Sequence, residues 1–137
     1  MDIRELLNEF SICSCEEFMD EFLAVLGQCQ NPSEVMGKLV FCLQRMKESP
    51  NTYFMENCNL FESIKGHNGI YAITIQKTGS NVRVLHARVL GKFIFLLAFY
   101  KKEGKKATDY SKHAPIADTR LRREKAKIGG SKNGCKH

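Results

Sequence analysis

The apolar positions change period along the chain. Ile3, Leu6, Leu7 and Phe10 fall at helical spacing and predict a short amphipathic helix over residues 3–10, with a first strand as the alternative. Ser14-Cys15-Glu16-Glu17 then reads as a capping box, in which the serine hydroxyl accepts from an amide three residues on and the glutamate reaches back. Phe18, Phe22 and Leu26, flanked by Met19 and Leu23, extend this into a helix that stops at Gly27. Asn31-Pro32-Ser33-Glu34 opens another helix, with asparagine as cap and proline in the first helical position, where its missing N–H is no loss. Val35, Met36, Leu39, Val40, Leu43 and Met46 form its apolar stripe, and Pro50 ends it.

After residue 60 the period falls to two. Residues 60–65 predict a short strand, and 70–77 set Tyr71, Ile73 and Ile75 against Ala72, Thr74 and Gln76. The Gly/Asn turn at 78–81 makes this a hairpin with 82–90, and Leu90-Gly91-Lys92 turns the chain again. Residues 93–100, FIFLLAFY, are a continuous apolar run and should form the most buried strand. Residues 101–113 read as a basic loop. Pro115 opens a last basic helix over about 115–127, with Ile116 and Leu121 as its main apolar residues, and 128–137 read as a flexible basic tail. The expected fold is α+β: an antiparallel three- to four-stranded sheet, two N-terminal helices packed on one face, and a basic C-terminal helix. The other face stays partly open, and residues 1–127 form a single domain.

Composition narrows the function. The 137 residues, 43% hydrophobic and 26% charged, suit one globular core. No apolar run of about 18 residues predicts a membrane span, and the acidic, interrupted start MDIRELLNEF predicts no secretory signal. The six cysteines, at 13, 15, 29, 42, 58 and 135, follow no zinc-site or C-x-x-C spacing. Reduced thiols of a cytoplasmic protein are expected. His67, His86, His113 and His137 form no metal pair, and no nucleophile elbow, Walker loop or G-x-G-x-x-G occurs. No metal and no cofactor are expected. The net charge of +6 conceals a division: residues 1–60 carry −6 and residues 61–137 carry +12. So uneven a distribution points to an anionic partner for the second half.

Alternation puts Arg83, Leu85, Ala87 and Val89 on one face of the middle strand, and Val82, Val84, His86, Arg88 and Leu90 on the other. Beside Thr74 and Gln76, Arg83 is expected in an open groove rimmed by the basic loop and last helix. Such a groove suits a polyanion, with phosphates giving affinity and the Tyr100 and Tyr110 rings offering stacking faces. The plainer readings are an Arg83 ion pair with Glu62 or a helix carboxylate, tyrosines that belong to sheet or core, and an acidic helix face that is simply solvated.

Several motifs, in order, resemble the RelE/HigB/ParE superfamily of toxin–antitoxin toxins, in its HigB-like, phage-derived branch. EEFMDEFL at 16–23 is similar to the family's first helix. NGIYAITI at 68–75 and VRVLHA at 82–87 resemble its central strands. GKFIFLLAFYKKEGKKATDY at 91–110 resembles its last strand and basic loop, and IADTRLRR at 116–123 its Ala/Arg-rich helix. The resemblance implies a ribosome-dependent mRNA endoribonuclease that inhibits translation by metal-free RNA transesterification, and a cognate antitoxin, of helix-turn-helix type, that neutralises it. It places Arg83, Lys102 and Tyr110 as catalytic candidates. Lys65, His67, Lys92, Lys101, Lys105, Lys106, Arg120 and Arg123 are the RNA-binding candidates. The chain departs from the family at Ala72-Ile73-Thr74, where a carboxylate and an arginine are usual, and at Leu97, where histidine is. A gyrase-inhibiting branch shares the fold. A catalytically silent nucleic-acid- or protein-binding module is the remaining alternative.

Overall fold

A computed structural model describes residues 2–67, 69–77, 80–101 and 106–130, with the backbone alone at 77, 106–109, 129 and 130. In chain order the elements are α1 (Ile3–Glu9), β1 (Cys13–Ser14), α2 (Phe18–Gln28), α3 (Pro32–Glu48) and α4 (Tyr53–Glu56). β2 (Phe61–Ser63), β3 (Tyr71–Lys77), β4 (Ser80–Val89), β5 (Lys92–Tyr100) and α5 (Lys106–Gly130) follow. The middle of the expected turn at 78–81 and most of the expected tail lie outside the described residues.

The α+β class stands, but the sheet is larger than expected. Its five strands run in the order β1-β5-β4-β3-β2. β2 through β5 pair antiparallel, whereas β1 lies parallel to β5, with Cys13 opposite Ile94 and Ser14 opposite Phe95. A two-residue edge strand has no alternation to read, which is why the sequence hid it. The same strand removes the expected capping box. Ser14 is held in the ladder, and α2 starts after Glu17, which makes no side-chain cap bond. Asn31 does cap α3, its Oδ1 accepting from the Glu34 amide at 3.3 Å. Pro32 sits in the first turn.

The sheet carries a core on each face. On one face α1, α2 and α3 bury their stripes against Ile73, Ile75, Val82, Val84 and Phe95. Phe18 lies at its centre, fully buried, with ring centroids 5.6 Å from Phe22 and 5.3 Å from Phe95. The other face was expected partly open. Instead α5 packs across it, burying Ala114, Ala117 and Leu121 against Leu85, Ala87, Leu97 and Phe99. The helix begins at Lys106 rather than Pro115, so residues 106–113 are helix and not loop, and Pro115 is interior. The pattern was present in the chain. Tyr110, Ala114, Ala117 and Leu121 recur at i, i+4, i+7 and i+11, one helical face. Alanines mark a stripe faintly, and the more apolar Ile116, expected in the stripe, is 40% exposed.

Two arginines fasten α5 to α2. Arg120 donates to both carboxylate oxygens of Glu21, at 2.7 and 2.6 Å, and to the Leu96 carbonyl at 2.9 Å. Arg123 grips Glu17 with both terminal nitrogens. Its guanidinium holds the Glu17 carboxyl down at about 2. The acidic face of α2 is therefore a docking face, for the chain's own last helix. Among the cysteines, Cys15, Cys29, Cys42 and Cys58 are free. Burial pushes the Cys15 and Cys42 thiols up to about 11 and about 12, leaving them unreactive at neutral pH. Cys13 departs from the expectation of reduced thiols: it is disulfide-bonded.

His86 makes this fold acid-sensitive. It is fully buried among the rings of Tyr53, Phe61, Tyr71, Phe93 and Phe95, with Nε2 2.7 Å from the Tyr53 hydroxyl. Burial pulls its pKa from 6.5 to about 4. A group depressed in the fold contributes stability above its unfolded value and loses it as pH falls towards its folded one. The urea midpoint is expected to drop between pH 6.5 and 4. Replacing the pair together, Tyr53→Phe with His86→Leu, leaves no orphaned hydroxyl and should flatten the upper part of that slope. An unchanged slope above pH 4.5 in the double variant would contradict this; below it, Glu17 also titrates.

Candidate functional site

Alternation along β4 sends Arg83 to the face that α5 covers, opposite Thr74 on β3 and Phe99 on β5. The expected groove is thus roofed, and Arg83 is fully buried. Its Nη1 donates to Asn81 Oδ1 at 2.6 Å and to the Val82 carbonyl at 3.2 Å. Its Nε has no hydrogen-bond partner, and among the described residues no carboxylate lies within ion-pair distance. A buried cation without a paired charge costs several kcal/mol unless something compensates.

The nearest compensation comes through Tyr110. This side chain reaches from the first turns of α5, and its hydroxyl donates to Glu62 Oε2 at 2.8 Å. The Arg83 guanidinium faces the same phenol. Burial, and then the bond to Glu62, hold the phenol protonated far above its ordinary range. A tyrosine thus stands between a buried cation and a carboxylate. From the sequence, Glu62 is expected only as a direct ion-pair partner of Arg83. Its place follows from the β2–β3 register, which sets Glu62 opposite Ala72 on the same face as Arg83. Three residues of strand carry too little pattern to fix that register in advance.

The neighbours complete the cluster. Asn81 holds Arg83 by its side chain, and its carbonyl accepts from the Lys101 amide at 2.8 Å. Lys101 is 8% exposed. His113 stacks on Phe99 with centroids 4.0 Å apart, and Tyr110 meets the same ring edge-on. Thr74, buried beside Arg83 in the register, donates its hydroxyl to the Asn59 carbonyl at 3.2 Å.

The remaining expected residues are scattered. His67 Nδ1 is bonded to Asp118 of α5, a further strap on that helix. Lys65 is exposed on the β2–β3 connection. Lys92 is exposed at the opposite end of the hairpin from Arg83, about 20 Å away along the strands. Arg120 and Arg123 are engaged with Glu21 and Glu17. Tyr100 packs against the helix-side core rather than offering a free ring. Lys102 and Lys105 lie outside the described residues, and Lys106 is described by its backbone alone. Among the described residues no group of three His, Cys, Asp or Glu side chains is placed to hold a metal. No helix there is long and apolar enough to cross a membrane.

The chain matches no family model, no curated protein and no solved structure.

Proposed function

We propose that this protein is an RNA-cleaving toxin of the RelE/HigB kind, acting on mRNA at the ribosome, with Arg83, Tyr110 and Glu62 at its reactive centre. The observation that carries the reading is the buried guanidinium of Arg83, which is paired with no carboxylate among the described residues and faces a tyrosine brought from another element. Cations held without solvent are worth most where charge develops in a transition state.

In this reading a ribose 2′-hydroxyl attacks the adjacent phosphate, giving a 2′,3′-cyclic phosphate and a free 5′-hydroxyl. Arg83 stabilises the extra charge on the five-coordinate phosphorus. Tyr110 stays protonated until the leaving 5′-oxygen takes its proton, and Glu62 holds the phenol in position. Lys102, at the family's paired-lysine position, removes the 2′-hydroxyl proton. Lys65, Lys101, Lys105 and Lys106 serve as phosphate ligands, whereas His67, bonded to Asp118, holds α5. Arg120 and Arg123 hold α5 through α2 rather than RNA. Because Arg83 is shut beneath α5, the start of that helix opens to admit RNA and closes again over it, which returns Tyr110 to Glu62 and Arg83 for the reaction, as lids do in many enzymes. The carboxylate missing at Ala72 returns from the neighbouring strand as Glu62. Ribosomal action places the protein in the cytoplasm, with a helix-turn-helix antitoxin as its partner.

Induced expression should stop growth and leave mRNAs cut at positions that 5′-end mapping detects. In single-turnover cleavage Tyr110→Phe should slow the reaction about 10²-fold, and Glu62→Gln about tenfold, since its loss removes positioning rather than the proton donor. Intact mRNA after induction would sink the proposal, and DNA breaks in its place would favour the gyrase-inhibiting branch. The closed state of Arg83 favours one further reading, a catalytically silent binding module. That reading expects neither toxicity nor cleavage.

A further inference from the structure

The β4–β5 hairpin ends in a turn whose chemistry is unusual. Val89 pairs with Lys92, so the loop is two residues, Leu90 and Gly91, both with positive φ (50° and 81°). Such turns take asparagine, aspartate or glycine first, because a larger side chain is strained there. Here a leucine takes the strain and is also 84% exposed. Both features raise the free energy of the fold, and neither stabilises it. Ser11, at φ 56°, is the other non-glycine residue with positive φ among the described residues.

Ser11 and Gly91, the residue after Leu90, line one groove. It lies between the α1–β1 turn, the last turns of α3 and the start of β5, with a volume of about 300 Å³. Phe10, Met46 and Phe93 supply its apolar floor, and Lys47 and Lys92 its rim. The Lys47 ammonium lies 6.0 Å from the Phe10 ring centre. Arg88 adds a third cation, 5.6 Å from the Phe93 ring centre and bonded to the carbonyl of Pro50, another lining residue. None of these three cations is paired with a carboxylate among the described residues, whereas Arg45, Arg120, Arg123 and Lys127 all are. An apolar floor with an unneutralised cationic rim is complementary to an apolar segment flanked by carboxylates.

We propose that this groove docks an acidic amphipathic helix of a partner protein, with Leu90 packing against that helix and Lys47, Arg88 and Lys92 meeting its carboxylates. The inference does not rest on the ribonuclease reading, because the groove opens near Lys92, at the far end of the hairpin from Arg83. It names a use for the cations that the Arg83 cluster leaves aside.

The test uses the full chain and a fluorescein-labelled helical peptide of leucine and glutamate, read by anisotropy. Binding is expected, weakening as salt rises. The double variant Lys47→Glu/Lys92→Glu should weaken it at least about tenfold. Leu90→Asn should also weaken it while raising the melting temperature, because Asn-Gly is the preferred sequence for this turn. That opposite movement separates a docking residue from a structural one. Equal binding by wild type and both variants would overturn the proposal, as would equal binding of a leucine–lysine control peptide. Self-association of the wild-type chain, abolished by Leu90→Asn in sedimentation velocity, would also overturn it and assign the groove to a second copy.

Discussion

Arg83→Met is expected to abolish RNA cleavage while leaving the fold at least as stable as wild type. The side chain is fully buried, and among the described residues its Nε is unpartnered and no carboxylate pairs with it. Replacing such a cation with an apolar chain of similar length removes a desolvation cost, and replacements of this kind are commonly neutral or stabilising. Asn81 Oδ1 loses its donor, but Asn81 is only half-buried and water can replace the bond. The urea midpoint should therefore stay level or rise. Losing one preorganised charge at a developing phosphorane should lower the cleavage rate by about 10²–10³-fold. A purely structural arginine gives the reverse pattern, with stability lost and activity following it. Urea titration and single-turnover cleavage on the same preparation distinguish the two.

Phe18→Ala is expected to produce the largest stability loss of any single truncation in the helix-side core. Phe18 stacks on Phe22 and meets Phe95 edge-on, so it joins α2 to β5. Truncating a buried phenylalanine costs about 3–5 kcal/mol, since lost transfer energy and an unfilled cavity add. That is a large part of the 5–15 kcal/mol that holds a typical domain together. Thermal melts should show a fall of more than about 10 °C. The exposed neighbour Leu23, 55% exposed on the same helix, should move the midpoint by less than about 0.5 kcal/mol when cut to alanine. Equal losses at the two positions would contradict the assignment of the core.

The parts of this fold legible in the sequence are those with strong apolar contrast. Val35, Leu39, Leu43 and Met46 mark the buried face of α3, and Asn31-Pro32 marks its start. The split of Val82 and Val84 from Arg83 and Leu85 between the two faces of β4 follows from alternation alone and holds in both cores. The second layer was less legible because its contacts are small or polar. Ala114 and Ala117 pack closely against the sheet without announcing a stripe, and Pro115 imitates a helix start inside a helix. β1 pairs through two residues, and tertiary pairing overrides the local capping signal at Ser14.

The candidate site was half legible for the same reason. Arg83 and Tyr110 stand out in the sequence, and the fold brings them together. Glu62 depends on a strand register that three residues cannot specify. Arg120 and Arg123 look like nucleic-acid ligands by charge, yet their role is decided by Glu21 and Glu17, about a hundred positions earlier. Net charge counted 17 basic residues after position 60, and it did not show which of them face carboxylates.

The central claim is metal-free RNA transesterification at the Arg83–Tyr110 cluster. The direct measurement is cleavage of a ribosome-bound mRNA, with chelator present, whose cut position is first mapped and then resynthesised with a single 2′-deoxy sugar. Cleavage of the all-ribose message to a 2′,3′-cyclic phosphate and a 5′-hydroxyl, abolished by the 2′-deoxy sugar and by Arg83→Met, is the predicted result. Cleavage that persists through the 2′-deoxy position, or no cleavage of the all-ribose message at all, would contradict it.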